Sequence, residues 1–243
     1  MAGVTTIALL ERRAGMPREL FSRYWRDVHG VMAARIPGFE KYVQHHVTAI
    51  GAESGTEDKG LNFEGIAVVE FARDGDRVGL GSSPVTPEIV RDEPNLFARA
   101  LLYNLAPGDS LRLNEDSARD SDDTIFLLFE DGQAARQWAH ACANNGSEVH
   151  LHDVSGADPA LWNGIEAGAI GWSHIVQCWP GGRKLPPVGR NVVSFRTDAR
   201  YVMVDKGRPT PLGLRGADAL RTIREAGAEN QLDEHVEKLV YGI

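Results

Sequence analysis

Three of the chain's eight histidines fall within residues 18–47, the stretch RELFSRYWRDVHGVMAARIPGFEKYVQHHV. An imidazole near its ordinary pKa can take or give a proton at working pH, and a tyrosine beside it can hydrogen-bond a substrate oxygen. His29, His46 and Tyr42 are therefore the candidate catalytic residues. The same types could instead gather into a metal site or be unremarkable core and surface groups, and their placement on elements decides between these readings.

Leu20, Phe21, Tyr24, Trp25, Val28, Val31 and Met32 recur at helical spacing, which predicts an amphipathic helix over 17–35. His29 lies one turn after Trp25, at the edge of the apolar face. It reads either as an acid/base group aimed into a pocket beneath the helix or as a histidine donating to the last helical carbonyls. Asp27 and Arg26 point away from the apolar stripe and read as surface or dimer-contact groups. Residues 39–50, FEKYVQHHVTAI, alternate as a strand, so Tyr42, Gln44 and His46 share one face while Val43, His45 and Val47 share the other. The two valines assign the second face to the helices and leave His45 near an edge. Tyr42, Gln44 and His46 then look out of the sheet's other face. His45 and His46 point oppositely, so a metal triad within 18–47 is not expected.

Farther along, His150 and His152 sit two apart on one predicted strand and His174 on another. With Asp153 or Glu166 they could ligate a metal, but Asp153 alternates to the wrong face and the spacing is irregular. A substrate-facing polar cluster including His152 and His174 is the expected reading, with no metal. Trp138 and His140 echo Trp25 and His29 only loosely. No dinucleotide fingerprint, phosphate loop or nucleophile elbow is present.

The elements that carry these residues begin with a strand at 4–13 and continue through the helix, strands at 39–50 and 63–72, a weak proline-broken helix near 84–100, and a strand at 100–109. That order is β-α-β-β-α-β, an α+β ferredoxin-like unit. An acidic stretch at 114–123 reads as a linker. Beyond it strand, helix and strand recur at 124–129, 131–146 and 147–154, with further strands at 169–179, NVVSFRT and RYVMVDK, and helical spacing over 216–240. PGGRKLPPVG stands where a second helix belongs. Domains are expected at 1–113 and 124–243, the latter a degenerate second ferredoxin-like unit with C-terminal helices.

The chain has 243 residues, a net charge of -8 and 42% hydrophobic residues, which suits a protein with substantial cores. The acidic balance argues against sequence-independent nucleic-acid binding. No apolar run is long enough to span a membrane. The first apolar stretch, about seven residues with no preceding basic residue, is unlike a signal peptide, and a cytoplasmic location is expected. Two cysteines, Cys142 and Cys178, are too few for a disulfide scaffold.

Phe21, Tyr24-Trp25, Asp27, His29, Pro37-Gly38, Tyr42 and Gln44-His45-His46 resemble the signature of EthD-domain proteins, members of the dimeric α/β-barrel superfamily. The resemblance covers residues 4–110, with F-x-x-Y-W-x-x-x-H its most specific part. It implies ferredoxin-like units forming a barrel, closed either by the second half of this chain or by a second chain in a homodimer. It also implies a histidine and a tyrosine in the pocket at His29 and Tyr42. Tyr24 and Trp25 read more readily as core than as a substrate platform, although an aromatic wall would suit an aromatic ligand. The resemblance leaves open whether the pocket lies in the barrel or between sheet and helices, which would exchange the roles of the two strand faces. The superfamily includes isomerases, cyclases, cofactor-free monooxygenases, aromatic-acid decarboxylases and haem-handling enzymes. From this breadth the expected function is a lyase that needs no cofactor, decarboxylating a small aromatic or phenolic acid. His29 or His46 would protonate carbon, and Tyr42 would orient the phenol. An isomerase, a cofactor-free monooxygenase or a non-catalytic accessory to an oxygenase are the alternatives.

Overall fold

The computed structural model describes residues 3–50, 62–115, 123–157, 159–161, 171–189 and 191–238. Glu166, most of the acidic linker and the loop after residue 50 lie outside them.

β1 (Val4–Arg12) leads into α1 (Arg18–Tyr24), which begins at Pro17, where fixed φ suits the start of a helix. The helix widens into one π-helical turn (Trp25–His29) and continues as α2 (Gly30–Ala33). Gly30 stays helical at φ -63, so the helix does not fray there. β2 (Phe39–Ala49), β3 (Phe63–Phe71), α3 (Asp74–Val78), α4 (Thr86–Leu96) and β4 (Phe97–Asn104) complete the first set. α4 accommodates its prolines because Pro87 lies in the first turn and Pro94 near the end. The short β5 (Ser110–Leu113) follows β4 after a turn.

The second set is β6 (Ile125–Phe129), α5 (Gly132–Asn144), β7 (Glu148–Asp153), β8 (Pro159–Leu161), β9 (His174–Trp179) and β10 (Val192–Asp205). Asp131 caps α5 by accepting from the amides of Gln133 and Ala134. The two strands expected at 191–197 and 200–206 are one bulged strand, β10, whose beginning pairs with β6 and whose remainder pairs with β2. Residues 180–189 are irregular, as the glycines and prolines there predict. A short β11 (Arg208–Pro209) precedes α6 (Pro211–Leu214), α7 (Ala219–Ala226) and α8 (Glu234–Val236).

Each set pairs its four main strands in the antiparallel order of a ferredoxin-like unit, β2-β3-β1-β4 and β7-β9-β6-β10. β10 joins the sets by pairing with β2, and β5 pairs with β7, so one curled sheet encloses an interior lined by both halves. The partner that a single ferredoxin-like unit needs to form a barrel is thus in the same chain. Three cores result. One lies between the first sheet and its helices, one inside the barrel, and one beneath α5.

The C-terminal helices do not extend the second set. They return to the first, where Ala219, Ile223, Ala226 and Val236 join the core that holds Tyr24 and Trp25. This return buries Asp27, expected at the surface: it is ion-paired with Arg26 at 2.6 Å, and its backbone lies against Gly216.

The facing of β2 is the reverse of the valine-based assignment. Tyr42 packs with the helices, whereas Val47 packs with Phe126 and Phe195 of the opposite sheet. Both faces of this sheet are buried, so apolar content alone cannot tell the helix side from the barrel side.

Candidate active site beneath the first helical layer

Strand alternation and one glycine set the floor of the site. Trp25 lies flat on the first sheet because Gly65 of β3 offers no side chain: a Cβ there would stand 2.7 Å from the indole. The π-helical turn then carries His29 over the same sheet. Such one-residue expansions re-aim side chains and often mark functional positions. The turn is braced by Gln44, whose Nε2 donates to the carbonyl of Trp25 at 3.0 Å and to the Tyr42 hydroxyl at 2.9 Å.

Between sheet and helices is a cavity of about 110 Å³ whose wall includes Trp25, His29, Tyr42, Phe97, Thr6 and Glu93. Most of its remaining lining is aliphatic or aromatic, and no Lys or Arg lines it among the described residues.

His29 is held by a partner absent from the sequence reading. Its Nδ1 lies 2.9 Å from Oδ2 of Asp92 on α4, and the carboxyl is fully buried. Asp92 Oδ1 also accepts from the Tyr24 hydroxyl at 2.6 Å and from Asn95 Nδ2 at 3.1 Å. With three donors converging on it, Asp92 as a carboxylate requires a proton on His29 Nδ1 and leaves Nε2 as the basic nitrogen. Phe97 fixes the ring edge-to-face at 5.3 Å. Asp92 stands on the apolar face of α4 with Ile89, Glu93 and Leu96, at spacings of three and four. An acid on an apolar helix face was the available signal, hidden by the charged run RDE around it.

Tyr42 is completely buried, and burial pushes its hydroxyl up to about 12 against the lowering effect of hydrogen bonds from Gln44 and Trp25. It remains protonated at physiological pH and can donate.

The other expected residues fall elsewhere. His46 is stacked on the Trp25 indole at 4.6 Å, with Nδ1 2.7 Å from Ser22 Oγ and Nε2 3.4 Å from Gln44 Oε1. Burial, then Arg26 and Arg18, lower it to about 3. With both nitrogens engaged and the ring held neutral, His46 is not brought to the cavity. Tyr24 stands behind Asp92 as its donor, and Gln44 behind Tyr42, so neither lines the cavity. His45, expected at an edge, is buried inside the barrel against Phe126 and Gln177. His152 also faces the barrel, bonded to Ser110 at 2.9 Å, while His174 faces α5 beside Ser173 and Asp153. The two cannot form one substrate cluster because β7 and β9 pair His152 with Ile175, which places His174 on the opposite face. His140 is exposed on α5 while Trp138 is in the core, so that pair does not repeat Trp25 and His29. No group of three metal-ligating side chains occurs among the described residues. No described helix is long and apolar enough to cross a membrane.

Fold and cavity together define an α+β barrel-type protein with a pocket between one sheet and its helices. Residues 13–100, which supply most of the pocket wall, match the EthD domain. Among solved structures, the chain is similar to one named "putative monooxygenase" from Lactobacillus acidophilus NCFM. The identity is 10%, the TM-score 0.45, and 86% of this chain and 99% of that one are covered. An anthrone oxidase-like protein is similar at 10% identity and TM-score 0.47, over 86% and 97% of the two chains. No curated protein matches the sequence.

Proposed function

We propose that the chain is an enzyme of acid–base type acting on a small, neutral, planar molecule such as a phenol or enol, with the cavity beneath the first helical layer as its active site. The observation that carries this reading is the His29–Asp92 pair at 2.9 Å, buried at the wall of an apolar cavity. His29 Nε2 removes a proton from the substrate, and the electron pair left behind delocalises onto the substrate oxygen. Asp92 stabilises the imidazolium that forms, as buried carboxylates behind catalytic histidines do. Tyr42 donates to the developing oxyanion. Return of the same proton to a different carbon isomerises the substrate and restores neutral His29.

The same groups serve the decarboxylation of a phenolic acid, in which imidazolium protonates the ring carbon and carbon dioxide leaves. That finer reading is the weaker one. A substrate carboxylate would meet an apolar wall and Glu93, with no cation among the described lining residues to receive it. A cofactor-free monooxygenase and a non-catalytic role beside an oxygenase are the remaining alternatives.

The test is hydrogen–deuterium exchange into a panel of phenols and enolisable ketones incubated with the protein in D2O and read by mass spectrometry. The protein should accelerate exchange into at least one neutral member, and His29→Gln should abolish that acceleration. Equal exchange with wild type and a folded His29→Gln variant would end the catalytic reading.

A further inference from the structure

The barrel interior has two unlike regions. In one, Ile7, Leu9, Phe63, Ile66, Phe126 and Phe195 pack into a continuous apolar core. The other holds a second cavity of about 30 Å³, distinct from the one beside His29 and lined by polar residues of five strands.

Strand register explains how they meet. Arg200 of β10 is opposite His45 of β2, Gln177 of β9 is opposite His150 of β7, and Trp179 is opposite Glu148. Lys41 lies two intervals from His45 on the same face of β2. Across the interior, Gln177 Nε2 approaches His45 Nε2 at 3.3 Å.

Two basic and two acidic side chains line this cavity. Glu70 is already paired, at 2.9 Å, with Arg112, which does not line it, and Glu148 lies 3.2 Å from His150 through one carboxylate oxygen, Oε1. Lys41 and Arg200 line the same cavity without an ion pair among the described residues. Two further donors are buried there with no hydrogen-bond partner among the described residues, Arg200 Nε and Trp179 Nε1. Trp179 as a whole is 8% exposed. A buried donor left unpaired costs roughly 1–3 kcal/mol, so natural proteins leave few of them unserved. His45 adds no positive charge, because burial, then Arg200, hold it well below its usual pKa.

We propose that this region of the barrel binds a small oxyanion, a carboxylate group, with Lys41 and Arg200 supplying the charge and Trp179 Nε1 a directed hydrogen bond. The volume admits about two water-sized groups, which suits the head of formate or acetate and not an aromatic ring. Arginine and an indole N–H are both acceptor-seeking donors, so the site selects an anion rich in lone pairs over a neutral molecule. The site is independent of His29 and of the reaction proposed there.

The experiment follows the indole N–H resonance of Trp179, assigned with Trp179→Phe, as the full-length protein is titrated with sodium acetate at ionic strength held constant by sodium chloride. A saturable shift is expected, weakened at least roughly tenfold in Arg200→Gln and in Lys41→Gln, as loss of one charge-assisted contact implies, and unchanged in His29→Gln. No saturable shift, or the same shift in both charge variants, would overturn the proposal. Should Arg200→Gln fail to fold, the half-buried Lys41→Gln decides alone.

Discussion

The same strand order occurs twice in this chain, and among the described residues it is the first copy that holds a cavity of about 110 Å³ between sheet and helices. In the first set, the π-helical turn, α2 and α4 stand over β1–β4, and α7 returns from the far end of the fold to complete the layer. A cavity is left between them, and Asp92 on α4 holds His29, which lines its wall. In the second set α5 lies on the sheet, and Trp138, Ala139 and Cys142 pack there with Phe129 and Val176. Residues 180–189 run irregularly where a second helix would carry the counterpart of Asp92. The difference teaches that the fold supplies two possible pockets, and that the second helix determines which one can hold a paired histidine.

The largest effect expected from breaking that asymmetry is chemical. His29→Ala should lower catalysed proton exchange by roughly 10²–10⁴-fold, the usual contribution of a general acid/base. His174→Ala, on the helix side of the second set, should leave the rate within about twofold. Asp92→Asn should cost about 10²-fold or more by releasing the tautomer of His29 while the cavity keeps its shape. Exchange rates of purified, folded variants check all three.

The next effect is on stability. Gly65→Ala pushes a methyl into the face of Trp25 and should destabilise the fold by about 1–3 kcal/mol, measurable by urea denaturation. The smallest expected effect is the acid sensitivity of the buried histidines. His46 and His152 are held near 3 by burial, whereas in the unfolded chain they titrate near 6.5. The unfolded state therefore binds more protons between these values, and stability should fall as pH drops from about 6.5 toward about 3. His46→Asn should flatten part of that slope in denaturant midpoints measured across the window.

Periodicity made the first helix, the alternation of β2 and the β-α-β-β-α-β order legible, because each element has one strong pattern. Three features were not. The facing of β2 turned on whether valines sought helices or the barrel, and both sides are dry. The continuity of β10 was masked at Asp198-Ala199, which fell between the two expected strands and where the pairing register shifts. The return of the C-terminal helices to the first set, which buries Asp27, is a tertiary event that leaves no local trace. At the candidate site, His29 and Tyr42 could be read from spacing and family resemblance, and both line the cavity. The place of His46 depends on packing, which stacks it on Trp25 and engages its nitrogens with Ser22 and Gln44, outside the lining of this cavity. Asp92 was missed because a single buried acid in a charged run is indistinguishable from a solvated one until α4 is docked.

The central claim is that the His29–Asp92 pair serves a ligand in the cavity beneath the first helical layer. Nitrogen-15 NMR of the imidazoles during titration with a neutral phenol tests it most directly. The account predicts that His29 shows a protonated Nδ1 and a basic Nε2, that the phenol shifts Nε2 of His29 alone, and that Asp92→Asn removes the tautomer preference. A phenol that shifts His45 or His150 inside the barrel while leaving His29 unmoved would contradict it.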